Sequence, residues 1–227
     1  MSDSPIFCTD GQQCRLETKL SYLTAEIEQL TNLVSTDTLT GLSNYRHFTH
    51  IVNQEVERSS RTGQPTSLII IDVDHFKKVN DSWGHEVGNS ALRLIASSIV
   101  KSIRQLDVAC RYGGEEFVVI FPSTNTLTSI HVAERIRAAI ERTPLVIHLD
   151  ATDDTIEYFL TVSIGVSSSR GKFDRDDWHK LVERADNKLY EAKLNGRNQV
   201  CYSKVETEQQ QMSEDEKSAL FDLFDNK

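Results

Sequence analysis

Apolar positions fall into three regimes along the chain. Between residues 13 and 36, Leu16, Leu20, Leu23, Ile27, Leu30 and Val34 recur at intervals of 4, 3, 4, 3 and 4. That spacing keeps them on one narrow stripe of a 3.5-residue repeat. Glu17, Lys19, Glu26, Glu28 and Gln29 occupy the other faces. An amphipathic helix packed on its own domain would show a similar stripe. The narrow seam and its place ahead of the globular region favour a short parallel coiled coil, a dimerisation stalk. Residues 1–12 before it are polar and unpatterned and read as a disordered N-terminus.

From 37 to 204 the period switches repeatedly. Asn44–Ser60, Asn89–Arg104, Leu127–Glu141 and Asp176–Leu194 are expected to be helical, the last closed by Gly196. Ser67–Val73, Val108–Tyr112, Glu116–Phe121, Leu145–Leu149 and Tyr158–Val166 are short, apolar and β-branched, as strands are. Gly113-Gly114 marks a hairpin between two of them. The alternation predicts an α/β domain with a mixed sheet. Residues 205–227 form an acidic tail. Ser213-Glu214-Asp215-Glu216 is a capping-box pattern ahead of Leu220, Phe221, Leu223 and Phe224. A short docking helix and an unstructured acidic tail are equal readings of it.

Composition narrows the function classes. The 227 residues carry a net charge of −9, which argues against nucleic-acid binding through clustered cations. A nucleotide held by a few placed cations and a metal remains open. No apolar run is long enough to span a bilayer, and residues 1–10 lack the basic and apolar stretches of a secretory signal, so a cytoplasmic location is expected. Cys8, Cys14, Cys110 and Cys201 are scattered and read as reduced thiols. A bridge between chains at Cys8 and Cys14 is a minor reading.

Three constellations carry chemistry. Asp72-Val73-Asp74 ends an apolar strand, where a carboxylate is costly unless a cation meets it. The two acids are expected to do different jobs, with Asp72 the metal ligand. A helix cap is the bland alternative. Arg111-Tyr112-Gly113-Gly114-Glu115-Glu116-Phe117 places two side-chain-free residues at a turn, with two acids directly after it. A phosphate or base can approach such a turn closely, and hard oxygen ligands beside it suit Mg²⁺. The bland alternative is a surface hairpin with solvated acids. Lys193-Leu194-Asn195-Gly196-Arg197-Asn198 ends the last long helix, where the macrodipole favours cations in any case.

Taken together, IIIDVDHFKKVNDSWGHEVG, RYGGEEF, TVSIGV and ADNKLYEAKLNGRN, preceded by TDTLTGLSN at 36–44, resemble the GGDEF family of diguanylate cyclases. The resemblance runs from about Asp37 to Tyr202 in the family's own order. Tyr45 stands where that family usually has Arg. The resemblance implies a five-stranded mixed sheet flanked by helices, similar to the palm of polymerases and nucleotide cyclases. It implies an enzyme that joins two GTP molecules into cyclic di-GMP and two pyrophosphates. Asp72, Glu115 and the Val73 carbonyl would bind Mg²⁺, with Glu116 assisting. Two ions per site are implied, with Mn²⁺ able to substitute. Lys77, Lys193 and Arg197 would hold the β- and γ-phosphates, helped by backbone N–H groups near Phe76 and Lys77. Asn80 would bond the guanine edge, and the Gly113-Gly114 turn would pass beside the nucleotide. Two domains, each with one GTP, must face each other, so a homodimer through the stalk is expected.

The family's GHxxGD reads Gly84-His85-Glu86-Val87-Gly88-Asn89 here. The usual Asp accepts two hydrogen bonds from guanine. Asn89 offers one acceptor and one donor group, so relaxed base selectivity is expected. Arg104-Gln105-Leu106-Asp107, five residues ahead of the turn, matches the family's inhibitory product site. Arg135 resembles its secondary product contact. His75, His85, His131, Trp83 and Trp178 need no catalytic role. Two alternatives stand beside an active cyclase. One is a catalytically silent cyclic di-GMP receptor, the other a dimeric scaffold. A regulatory protein on the stalk or tail is compatible with each.

Overall fold

The computed structural model describes residues 19–24, 26, 35–149, 154–169 and 177–203. Leu20 and Leu23 of the expected seam lie in a helical stretch and are exposed on the single chain. The other seam positions, the N-terminus, Cys8, Cys14 and the tail lie outside the described residues.

The globular part opens with α1 (Tyr45–Thr62). Asn44 caps it by accepting from the His47 N–H, and Gly63 ends it at φ 78°. Strand β1 (Thr66–Val73) follows, with all eight residues buried. Helix α2 (Phe76–Ser102) is two helices merged across Gly84, which sits at φ 80°, ψ 167°. Strands β2 (Val108–Gly113) and β3 (Glu116–Phe121) lead to α3 (Thr126–Arg142). Then come β4 (Pro144–His148), β5 (Thr155–Phe159), β6 (Val162–Ser169), α4 (Trp178–Leu194) and β7 (Val200–Tyr202).

The main sheet has the order β2-β3-β1-β6-β7, and β4 pairs with β5 in a separate ribbon. The main pairs are antiparallel except β6 with β7, so the sheet is mixed as expected. β1 lies in the middle, which is why its run of Leu68, Ile69, Ile70 and Ile71 is apolar on both faces. One face buries Ile69, Ile71, Phe117 and Phe121 under α2 and α3. The other buries Leu68, Ile70, Val118 and Ile120 under α1 and α4. Gly165 on β6 lets α4 approach so closely that any Cβ there would strike the backbone of Ala185 and Leu189. The close approach fixes the height of α4 over the sheet, and so the position of its C-terminal Lys193.

Two expectations need correction, and one strand was not foreseen. Tyr158–Val166 is not one strand. The chain breaks at Leu160-Thr161, so β5 pairs with β4 while β6 joins the main sheet. Helix α2 begins at Phe76 rather than Asn89, because Phe76, Val79 and Trp83 give it a helical apolar face before the Gly84 break. The three-residue strand β7 was too short for periodicity to mark. Among the described residues, no helix is long and apolar enough to cross a membrane. Cys110 and Cys201 are free thiols, and burial pushes Cys110 up to about 12, so it is no nucleophile at neutral pH.

Candidate active site

The chemistry-bearing residues gather where β1 ends. Asp72 is buried near the end of β1 and lies directly across from Glu116, the first residue of β3. Glu115 occupies the turn between β2 and β3, and its carbonyl accepts from the Val73 N–H at 3.4 Å. Three carboxylates therefore share one small region. Desolvation raises the pKa of Asp72, of Glu115 and of Glu116, and the Asp72 charge raises the two glutamates further. Such a cluster is stable at neutral pH only beside positive charge. Lys193 supplies some of it, its Nζ lying 2.8 Å from Asp72 Oδ2. The Arg197 charge also reaches Asp72.

Among the described residues, no three acidic, His or Cys side chains converge as a ready-made metal cage. Mg²⁺ is usually bound by one or two carboxylates and completed by substrate phosphates rather than caged by protein alone. The Lys193 ammonium sits on Asp72 as a stand-in cation. The donor set, hard oxygens that repel one another, fits a divalent ion.

The glycine turn is open. A Cβ on Gly114 would meet nothing within 4 Å, and one on Gly113 only the Glu116 carboxylate at 3.7 Å. Neither glycine adopts a positive φ, so they are required here for space rather than for backbone handedness. Arg111 holds the turn. Its Nε and one terminal nitrogen donate to the Gly114 carbonyl at 3.0 and 2.7 Å. Its other terminal nitrogen donates to both oxygens of Asp37 at 3.3 and 3.2 Å. Asp37 also accepts from the Thr40 N–H and hydroxyl. Burial pushes the Asp37 pKa up, but these Thr40 and Arg111 contacts outweigh it, and the net shift is downward. Sequence reasoning missed this clamp. Its partners stand 74 residues apart, although both lie in motifs already singled out.

Lys77 and Lys78 are exposed in the first turn of α2, which has no acidic residue there. Cations at a helix N-terminus oppose the macrodipole. An arriving anion would resolve that conflict. Phe76 is buried, and Asn80 lies over Gly88, where any Cβ would strike its side-chain oxygen. Asn89 is the next residue in the chain and is partly buried.

Asp74 makes its hydrogen bonds elsewhere, although its charge still raises the Asp72 pKa. Residues two apart in a strand share a face, but β1 stops at Val73 and Asp74 belongs to the following turn. Its carboxylate accepts from Ser163, Thr161 and the Asn198 N–H.

At the far end of β2 lies a second polar region. Arg104 is largely exposed, and its NH2 group donates to the Thr124 hydroxyl at 2.8 Å. The Asp107 side chain is buried. Its Oδ2 accepts from the Arg104 N–H at 2.9 Å, while its Oδ1 has no partner among the described residues. Both residues line a cavity of about 350 Å³ with Gly41, Ser43, Val100 and Ala109. Arg135 donates through two guanidinium nitrogens to the Ser102 carbonyl. It thus caps the end of α2, just ahead of Arg104.

The model of the diguanylate cyclase GGDEF domain matches residues 34–199. Response regulator PleD of Caulobacter vibrioides is 40% identical over 179 residues, 79% of this chain and 38% of PleD. The chain thus spans well under half the length of that relative. The coiled coil and GGDEF domain of DgcB from Caulobacter crescentus, solved with c-di-GMP, superposes with a TM-score of 0.75 at 29% identity. That match covers 86% of this chain and 98% of the other. Diguanylate cyclase SiaD from Pseudomonas aeruginosa, solved with its activator SiaC, gives 0.68 at 32% identity over 85% of this chain and 74% of SiaD. The matched span contains the acid cluster, the open turn and the cations that face them, and the chain belongs to the GGDEF-domain family of diguanylate cyclases.

Proposed function

We propose that this chain condenses two GTP molecules into cyclic di-GMP and two pyrophosphates. The observation that carries this reading is the cluster of Asp72, Glu115 and Glu116 beside an open glycine turn, with Lys193 as its present counter-charge. Asp72, Glu115 and the Val73 carbonyl would hold Mg²⁺, two ions per site, with Glu116 assisting. When bound, the metal lowers the pKa of the ribose 3′-hydroxyl and offsets charge on the phosphoryl oxygens. The chain's own groups do the rest. Lys77, Lys193 and Arg197 hold the β- and γ-phosphates as pyrophosphate leaves in line. N–H groups at Phe76 and Lys77 add donors. Gly113 and Gly114 let the nucleotide lie against the backbone, and Asn80 orients the guanine.

One domain holds one nucleotide, so ring closure needs two domains face to face. The stalk would supply the required effective concentration. The partly unsatisfied Asp107 beside the exposed Arg104 supports product binding in the cavity between them, with Arg a fork for phosphate or guanine. A regulatory protein acting on the stalk or tail would set the dimer equilibrium. Asn89 supports a second element, relaxed selectivity for guanine over adenine, because an amide cannot accept both guanine donors.

The test is incubation of the purified full chain with GTP and Mg²⁺, with products separated by chromatography and weighed by mass spectrometry. Cyclic di-GMP from the wild type and none from Glu115→Gln is expected. Cyclic di-GMP binding without synthesis at any protein concentration would favour the silent-receptor reading.

A further inference from the structure

Asp74 is a buried carboxylate for which nucleotide chemistry has no use, and its partners point elsewhere. Oδ1 accepts from the Ser163 hydroxyl at 2.7 Å. Oδ2 accepts from the Thr161 hydroxyl at 2.8 Å and from the Asn198 N–H at 3.0 Å. Asn198 is held on every side. Its Oδ1 accepts from Arg137 at 2.9 Å, and its Nδ2 donates to Glu141 at 2.7 Å. Arg137 is itself fixed between Glu134 and Glu141. This brace joins the start of β6, the turn after β1, the C-terminal half of α3 and the loop after α4.

The loop it holds is unusual. Gly196, Arg197 and Asn198 adopt φ values of 108°, 65° and 44° in succession. A left-handed turn suits glycine, but Arg197 pays for it in Cβ crowding. Strained residues persist only where their surroundings over-determine them. The Arg197 N–H donates to the Ala192 carbonyl at 3.0 Å and the Gln199 amide donates to the same oxygen at 3.0 Å. Asp74 and Asn198 pin the next residue. Asp74 also stands two positions from Asp72, so the brace ties the cation loop to the acid cluster.

We propose that Asp74 and Asn198 are positioning residues for nucleotide binding: they hold the loop that presents Arg197 to the triphosphate, beside Lys193 at the end of α4. The proposal rests on the cyclase reading for its substrate. Neither residue touches the nucleotide. Their removal weakens binding of the triphosphate and leaves the turnover of bound substrate largely intact.

The experiment compares Asp74→Ala, Asp74→Asn and Asn198→Ala in the full chain. One readout is calorimetric binding of a non-hydrolysable GTP analogue with Mg²⁺. The other is the split between KM and kcat for GTP. Asp74→Asn keeps an oxygen for Thr161 and the Asn198 N–H, and its amide can donate to a reversed Ser163 hydroxyl. It should bind within about threefold of the wild type, while both alanine variants lose about 10–100-fold, the range typical of groups that orient a ligand-holding shell. The loss should appear in KM, with kcat changed less. Unchanged affinity in the two alanine variants overturns the proposal. So does a fall in kcat at constant KM, or damage from Asp74→Asn equal to that from Asp74→Ala. If Asp74→Ala does not fold, Asn198→Ala decides; if neither folds, the brace is a folding element and the proposal fails. Analogue binding by a wild-type chain that makes no product would sink the cyclase reading while leaving the brace to be judged by affinity. A wild-type chain that binds no analogue overturns both.

Discussion

The acid cluster at the end of β1 and the brace directly behind it use the same residue types in opposite states. Behind, Asp74 accepts three hydrogen bonds, and the backbone N–H and side chain of Asn198 are bonded on every side. In front, desolvation raises the pKa values of Asp72, Glu115 and Glu116; the Asp72 charge raises the two glutamates further, and the Asp74 charge adds to the shift of Asp72. The satisfied region has nothing to offer a ligand. The other keeps acids that Lys193 offsets only in part, so a further cation would be favoured there. The same division runs along β2. Arg111 is fully engaged between Asp37 and Gly114, whereas Asp107 at the other end keeps a buried oxygen with no partner among the described residues. The two ligand sites proposed above both lie where charged groups are incompletely paired, whereas the brace and the Arg111 clamp pair theirs fully.

Changing an unsatisfied acid sharpens this contrast most. Glu115→Gln should reduce cyclic di-GMP synthesis by about 10³-fold or more, because a neutral amide is a poor ligand for a metal that stabilises phosphoryl charge. The same substitution should raise the melting temperature of the metal-free protein, since it removes one of the repelling charges. Loss of activity together with loss of stability would show the cluster to be structural rather than poised. At the other end of β2, Arg104→Ala should weaken cyclic di-GMP binding by roughly 10–150-fold, the range for losing charge-assisted hydrogen bonds. Progress curves should lose their product-dependent slowing. Retained inhibition would place the product elsewhere.

The sequence carried the two kinds of region unequally. The poised acids were legible because each motif is local: Asp72 ends an apolar run, and Glu115 and Glu116 follow two glycines. The mixed sheet was legible because strands and helices alternate around one tight hairpin, and the central place of β1 because its run is continuously apolar. The brace was not. Asp74 and Asn198 meet across 124 positions and Arg111 and Asp37 across 74, and no spacing rule joins such pairs. Helix α2 could have been started at Phe76 from the spacing of Phe76, Val79 and Trp83, but Gly84 and the motif residues around it hid that face. The break at Leu160-Thr161 was hidden for another reason. Both strands beside it carry the same alternation, and only pairing shows that they belong to different sheets.

Two substitutions probe the boundary between the regions with smaller effects. Asn89→Asp restores a second acceptor and should reduce ATP competition against GTP by about tenfold, the equivalent of one unsatisfied polar group at about 1–2 kcal/mol. Equal competition in both proteins would remove Asn89 from base recognition. Arg111→Lys keeps the charge but loses the planar fork that reaches the Gly114 carbonyl and Asp37 together. It should destabilise the fold by about 1–2 kcal/mol by denaturant titration, a typical size for disrupting a partly buried network. An unchanged midpoint would mean that the turn holds its place without the clamp.

The subtlest consequence is a stability profile that bends in opposite directions for the two regions. Asp72, Glu115 and Glu116 have raised pKa values, so the folded metal-free chain binds protons more readily than the unfolded one. Stability from these groups is present at low pH and is lost as pH rises above the ordinary carboxylate range through their raised values. Asp37 has a lowered pKa and behaves oppositely: its contribution is present above that range and is lost as pH falls through its folded value. The metal-free melting temperature should therefore peak at mildly acidic pH and decline gently toward neutrality. Saturating Mg²⁺ should flatten the decline, because the ion competes with protons for the same oxygens. Glu115→Gln should flatten it without metal. A melting temperature that climbs steadily from acid to neutral pH without Mg²⁺ would mean that the acids at the end of β1 are already neutralised by Lys193 and Arg197, and that the contrast between the two regions is one of position only.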